Sequence, residues 1–146
     1  MHRNNYLKEL IKPLRLSMYD FTEVGVREQL HSLFDERAIV YLCHPFGDIK
    51  GPINFYKNAL QPLFFSMPDL ERRDYIVISG KTEKNLEWVG CGGFYNGTFT
   101  KPFLDIPPTG HIAHMRFHEF YRFQNDKITE VQAILGWLLS ELLSKI

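Results

Sequence analysis

Two runs of strand-forming residues, Ile112 to Phe123 and Ile128 to Leu135, flank Gln124-Asn125-Asp126-Lys127 and constrain the fold more than any other stretch. Asn and Asp tolerate the left-handed backbone of a tight two-residue turn, so the stretch reads as one long β-hairpin. With Asn125 and Asp126 in the loop, counting outward pairs Phe123 with Ile128, Tyr121 with Glu130, Glu119 with Gln132, Phe117 with Ile134 and Met115 with Gly136. Opposed residues project to the same side of a sheet. One face then carries Met115, Phe117, Glu119, Tyr121, Gln132 and Ile134, an apolar wall with polar side chains set into it, which is how a ligand pocket is composed. The other face ends in Val131, Ala133 and Leu135, an apolar strip suited to a subunit contact.

Glu119 shares its parity with Met115, Phe117, Tyr121 and Phe123 on its own strand, so its facing does not depend on the turn. Apolar surroundings disfavour the charged form of a carboxyl, which makes Glu119 the first candidate for a pocket acid or base. Gln132 and Tyr121 are expected within hydrogen-bonding reach of it or of a ligand carbonyl. The competing reading is a buried Glu satisfied by such a bond, with no chemistry.

At 146 residues the chain is long enough to close one core, and a single domain over residues 1–146 is expected. Basic and acidic residues balance at 17 each and only Arg72-Arg73 forms a basic pair, so the charge pattern of a nucleic-acid binder is missing. The N-terminal stretch has no uninterrupted apolar segment, which argues against a membrane span and for a cytoplasmic protein. Cys43 and Cys91 lack CxxC partners and are read as reduced. His114 and His118 on one strand face stand ~13 Å apart, too far to share a metal ion, so no metal site is expected.

Residues 6–34 read as helical in two pieces, with Pro13 in the first turn of a helix running to Tyr19 and Thr22 capping the next. A short strand over Ala38 to Leu42 and the loop CHPFGDIKG follow. Gly51-Pro52 opens a helix that Pro62 should kink. Tyr75 to Ser79 and Leu86 to Phe99 read as strands, the second weakened by Gly90, Gly92 and Gly93 where bulges or a sharp bend are expected. The tail WLLSELLSKI is expected to finish as a helical turn. Helices, a short strand, a helix and four meandering strands define an α+β class: a cone-shaped, curved, mostly antiparallel sheet wrapped around the N-terminal helices.

The segments HPFGDIKG, MPDLERRD, WVGCGGFYNGTF, IPPTG, MRFHEFYRF and KITEVQA together resemble the SnoaL-like polyketide cyclase branch of the nuclear transport factor 2-like superfamily, from about Met18 to Leu135. The resemblance implies an α+β barrel with a small-molecule pocket between sheet and helices, commonly a homodimer packed through the outer sheet face. It implies intramolecular aldol cyclisation without metal or organic cofactor, with an Asp near the end of the last strand as general acid and base. That position falls at Gly136, which has no side chain to move a proton. The resemblance also places His44 near the cavity mouth as a possible proton relay, and Tyr95 where relatives carry a polar aromatic or a histidine.

The expected site therefore comprises Glu119 and His44 as catalytic candidates, and Gln132, Tyr121, Phe117, Tyr95, Trp88, Ile134 and Met115 around a small apolar or aromatic molecule. The facing of Trp88 and Tyr95 across Gly92-Gly93 stays open. Three functions compete: a cofactor-independent cyclase or isomerase, a binding protein without turnover, and a dimerisation module with an incidental cavity.

Overall fold

The computed structural model describes residues 2–136, so the expected helical turn in WLLSELLSKI lies outside them. Helix α1 (Arg3–Ser17) buries Leu7, Ile11 and Leu14 along one stripe, continued by Met18 just past its end. The stripe holds the helix together through Pro13, so α1 begins well before the proline rather than at it. Thr22 caps α2 (Glu23–Leu33) as expected, its Oγ1 accepting from the Gly25 amide at 3.2 Å.

Strand β1 (Phe34–Leu42) and the short β2 (Asp48–Lys50) follow. Next come α3 (Pro52–Phe55), a π-helical turn (Tyr56–Leu60) and α4 (Gln61–Ser66). Pro62 has no amide to offer the Asn58 carbonyl; just before it the helix widens, and the Gln61 amide donates to the Tyr56 carbonyl. Strands β3 (Glu71–Lys81), β4 (Glu87–Thr98), β5 (Ile112–Gln124) and β6 (Lys127–Leu135) complete the described chain. Among the described residues no helix is long and apolar enough to cross a membrane.

The six strands form one mixed sheet in the order β2-β1-β6-β5-β4-β3, with β1 and β6 parallel and every other pair antiparallel. The sheet is α+β as expected but stays open, with β2 and β3 as its edges. The glycine-rich strand meets a bulge on its partner: Tyr75 is the extra residue where Asp74 pairs with Gly93 and Ile76 with Gly92. A Cβ at Gly93 would lie 2.1 Å from the Arg73 carbonyl oxygen, so only glycine fits this approach.

The hairpin turn forms at Asn125 and Asp126, both with positive φ, and the pairs Gln124–Lys127 and Phe123–Ile128 hold. Beyond them Thr129 is an extra residue, so Arg122 pairs with Glu130, Tyr121 with Val131 and Glu119 with Ala133. This one-residue slip corrects the uninterrupted register and exchanges the faces of β6. The reason is burial: an unbroken ladder would put Glu130 and Gln132 inside and leave Val131 in water, whereas the bulge buries Val131 and Ile128 together.

Candidate active site

Strand β5 alternates cleanly, with Ala113, Met115, Phe117, Glu119, Tyr121 and Phe123 all buried. Glu119 sits mid-strand between Cys91 of β4 and Ala133 of β6 and is 7% exposed. Its partner comes from the sheet edge. Arg72 on β3, fully buried, donates from Nη1 to Glu119 Oε1 at 2.5 Å and to the Tyr95 hydroxyl at 2.9 Å. Its Nε donates to Asp74 Oδ1 at 3.1 Å, and Asp74 Oδ2 accepts from Arg15 of α1 at 3.1 Å. The guanidinium also lies 4.2 Å from the Phe117 ring centroid. Two cations thus offset two carboxylates where no single charge would be tolerated.

Burial perturbs Arg72, Tyr95, Tyr121 and Cys91 in this cluster. Burial works against the Arg72 charge, yet Glu119 first, then the Tyr95 and Tyr121 hydroxyls and Asp74, hold its proton more tightly than usual. Burial raises the phenols of Tyr95 and Tyr121 above their ordinary range, and Glu119 adds to both. The Cys91 thiol is pushed up to about 12, chiefly by burial. Cys43, the other free thiol, is half-buried at the end of β1. At pH 8 a thiol reagent is therefore expected to label Cys43 at least roughly a hundredfold faster than Cys91, because the thiolate is the reactive form. Peptide mapping of labelled protein over time checks this; equal labelling would show the Cys91 environment to be wet.

Between the inner sheet face and the α3–α4 segment lies a cavity of about 50 Å³. Leu60 and Leu63 line it from the helices, Tyr95, Phe117, Glu119 and Ala133 from the sheet, and Cys43 and Phe46 from the loop after β1. Glu119 Oε1 is occupied by Arg72, whereas Oε2 has no hydrogen-bond partner among the described residues. One carboxylate oxygen is thus anchored, in a residue that lines the cavity.

Not every expected site residue converges here. Tyr95 and Phe117 line the cavity with Glu119; Met115 and Tyr121 share the inner face but are packed in the core beside it. Gln132 is exposed on the outer face, opposite Phe120, and donates to Glu130 at 2.8 Å instead of to Glu119. Ile134 pairs with His118 on that outer face and is 60% exposed, although part of it contributes to the cavity lining. Trp88 pairs with Arg122 and faces outward with Phe120 and Gln132. His44 is exposed; Cys43 and Phe46 on either side of it line the cavity, and His44 does not. Gly136 donates to the Arg116 carbonyl at 2.8 Å and follows Leu135, which occupies the inner face, so position 136 continues the outward parity.

Sequence reasoning missed Arg72 and Asp74, because it began β3 at Tyr75 and read Arg72-Arg73 only as an isolated basic pair. The signal was present in Leu70-Glu71-Arg72-Arg73-Asp74: one parity carries an apolar residue and two opposite charges, the pattern of a paired inner-face cluster.

A helix-covered open sheet with a polar cluster at the back of an interior cavity has the nuclear transport factor 2-like fold. The chain belongs to the SnoaL-like polyketide cyclase family, whose sequence profile matches residues 13–136. A SnoaL-like protein of Jannaschia sp. CCS1 superposes with a TM-score of 0.76 at 18% identity, over 96% of this chain and 92% of that one. IdmH of Streptomyces antibioticus, a proposed polyketide cyclase, gives 0.72 at 19% identity over 93% and 97%. A SnoaL-like polyketide cyclase of Agrobacterium tumefaciens gives 0.67 at 22% identity over 94% and 97%. At such identities the superpositions establish the fold alone. No curated protein matches the chain.

Proposed function

We propose that this chain is an acid–base enzyme in which Glu119 removes a proton from the carbon next to a substrate carbonyl, the step that begins an aldol cyclisation or an isomerisation. The observation that supports this reading is the asymmetry of the Glu119 carboxylate in a residue that lines the cavity: Oε1 is bound to Arg72, and Oε2 has no hydrogen bond among the described residues. Arg72 fixes the rotamer, so a base is held in place before substrate arrives. A cavity of about 50 Å³ lies far below the roughly 300–1,000 Å³ of a site that encloses a drug-sized ligand. It admits the reacting end of a substrate, and the half-buried Cys43 and Phe46 mark where the remainder would leave. Binding without turnover is the second reading, supported by Gly136 at the strand-end position where the family resemblance implies an acid.

A panel of small ketones incubated with the wild type in deuterated water separates the two, since deuterium enters the α-carbon only if a base acts there. Incorporation above a heat-denatured control is expected; saturable binding with none would favour the binder. Gly136→Asp is expected to change the rate only a few-fold. Among the described residues a new Cβ there meets only the Arg116 carbonyl oxygen, at 3.6 Å, so the substitution fits, and the outward parity of position 136 would carry the carboxylate away from the cavity. A large gain of activity in Gly136→Asp would place the working acid at the strand end instead.

Self-association belongs to the same proposal, with a corrected surface. Val131, Ala133 and Leu135 face inward, Val131 being fully buried, and cannot form the subunit contact expected from the sequence. The outer face instead exposes Tyr75, Ile78, Phe120 and Ile134 beside Trp88, with the Phe120 ring lying across Gly90 and 46% exposed. Such a contiguous apolar surface is uncommon on a monomer, and a second copy of the chain is its proposed occupant. Sedimentation velocity should find a dimer that Phe120→Glu converts to monomer; a wild-type monomer at every concentration would refute it.

A further inference from the structure

A second groove lies between α2 and the α3–π-turn segment, with a volume of about 540 Å³. It shares no lining residue with the Glu119 cavity. Its wall includes Tyr56, which is 5% exposed and whose hydroxyl is buried without a hydrogen-bond partner among the described residues. Buried hydroxyls are nearly always satisfied, so an unpartnered one asks what completes it. Burial first, then the charge of Glu23, raises the Tyr56 phenol above its ordinary value, so it remains a protonated donor. A donor is completed by an acceptor.

The rim supplies the rest of the specification. Arg27 lies over the Tyr56 ring, 5.5 Å from its centroid, and His31 and Lys57 stand on the two sides of the groove. Glu28 is the one acidic lining residue among those described, and Glu23 accepts from Arg27 at 3.2 Å. That ion pair is exposed on both sides, and such pairs are weak, so Arg27 is free to exchange Glu23 for a stronger partner. Pro52 and the exposed Ile53 provide an apolar wall facing Leu30. We propose that this groove is a second binding site, for a small organic carboxylate whose head pairs with Arg27 and, after a small shift of the Tyr56 ring opens its hydroxyl to the groove, accepts from Tyr56, and whose apolar body lies against Ile53.

Benzoate is a suitable probe and benzamide its uncharged counterpart. Titrated into the ¹⁵N-labelled chain, benzoate should give saturable amide shifts at Leu30, Ile53, Lys57 and Gln61, and benzamide should not. Tyr56→Phe and Arg27→Gln should each weaken benzoate about tenfold, the worth of one charge-assisted hydrogen bond. Tyr56→Phe deletes only an unpartnered hydroxyl and should melt no lower than the wild type; if it fails to fold, Arg27→Gln decides alone. Shifts confined to Ala133 and Leu135, equal binding of benzamide, or unchanged affinity in the folded variants would overturn the proposal. None of these outcomes depends on whether Glu119 is a base, because the two sites report through different amides.

Discussion

Arg72→Met is expected to destabilise the fold by about 3–5 kcal/mol, because it strands the Glu119 carboxylate in the core without its counter-charge. For a chain of this length that is on the order of 10 °C in melting temperature. Asp74 suffers less, since Arg15 still donates to it. The cost should come from the unpaired charge rather than from lost packing, as methionine fills much of the space beneath the Phe117 ring. Combining Arg72→Met with Glu119→Gln should therefore recover most of the loss, a non-additivity that a double-mutant cycle of thermal melts would read directly. Additive losses would mean that the 2.5 Å contact contributes little and that Arg72 matters only as volume.

Glu119→Asp keeps the charge and withdraws the carboxylate by one methylene, so it separates electrostatics from position. If Oε2 is the proton acceptor, deuterium incorporation should fall at least roughly a hundredfold while the chain stays folded, because a displacement of about 1 Å is enough to spoil proton transfer. Circular dichroism and melting on the same sample check the fold. A rate within a few-fold of the wild type would mean that the group is structural and the base lies elsewhere.

The hairpin, the inward facing of Glu119, the Thr22 cap and the α+β class were legible because each rests on local chemistry: alternation along one strand, turn residues, a capping side chain. What was not legible depended on a single extra residue. Thr129 moved Gln132 and Ile134 from the expected pocket wall to the outer face and brought Val131, Ala133 and Leu135 inside. The clue was a change of parity among apolar residues, with Ile128 even and Val131 odd, which a straight ladder cannot bury on one side. Arg72 was hidden for a different reason. Long-range pairing across β3, β4 and β5 brings it to Glu119, and nothing near either residue in sequence announces the other. His44 shows the limit of reasoning from a loop, since its side chain is exposed between two neighbours that line the cavity.

Glu119 acting as a base inside the cavity is the central proposal. Its most direct test is the rate at which 2-butanone takes up deuterium at the carbons beside its carbonyl, followed by proton NMR with wild type and Glu119→Gln at equal folded concentration. A carbonyl-sized probe suits a cavity of about 50 Å³. Saturable exchange by the wild type is expected, with a loss of roughly 10²–10⁴-fold on replacing the carboxylate by an amide, the range that a positioned general base contributes. Equal exchange by the two proteins, or none above buffer by the wild type, would contradict it.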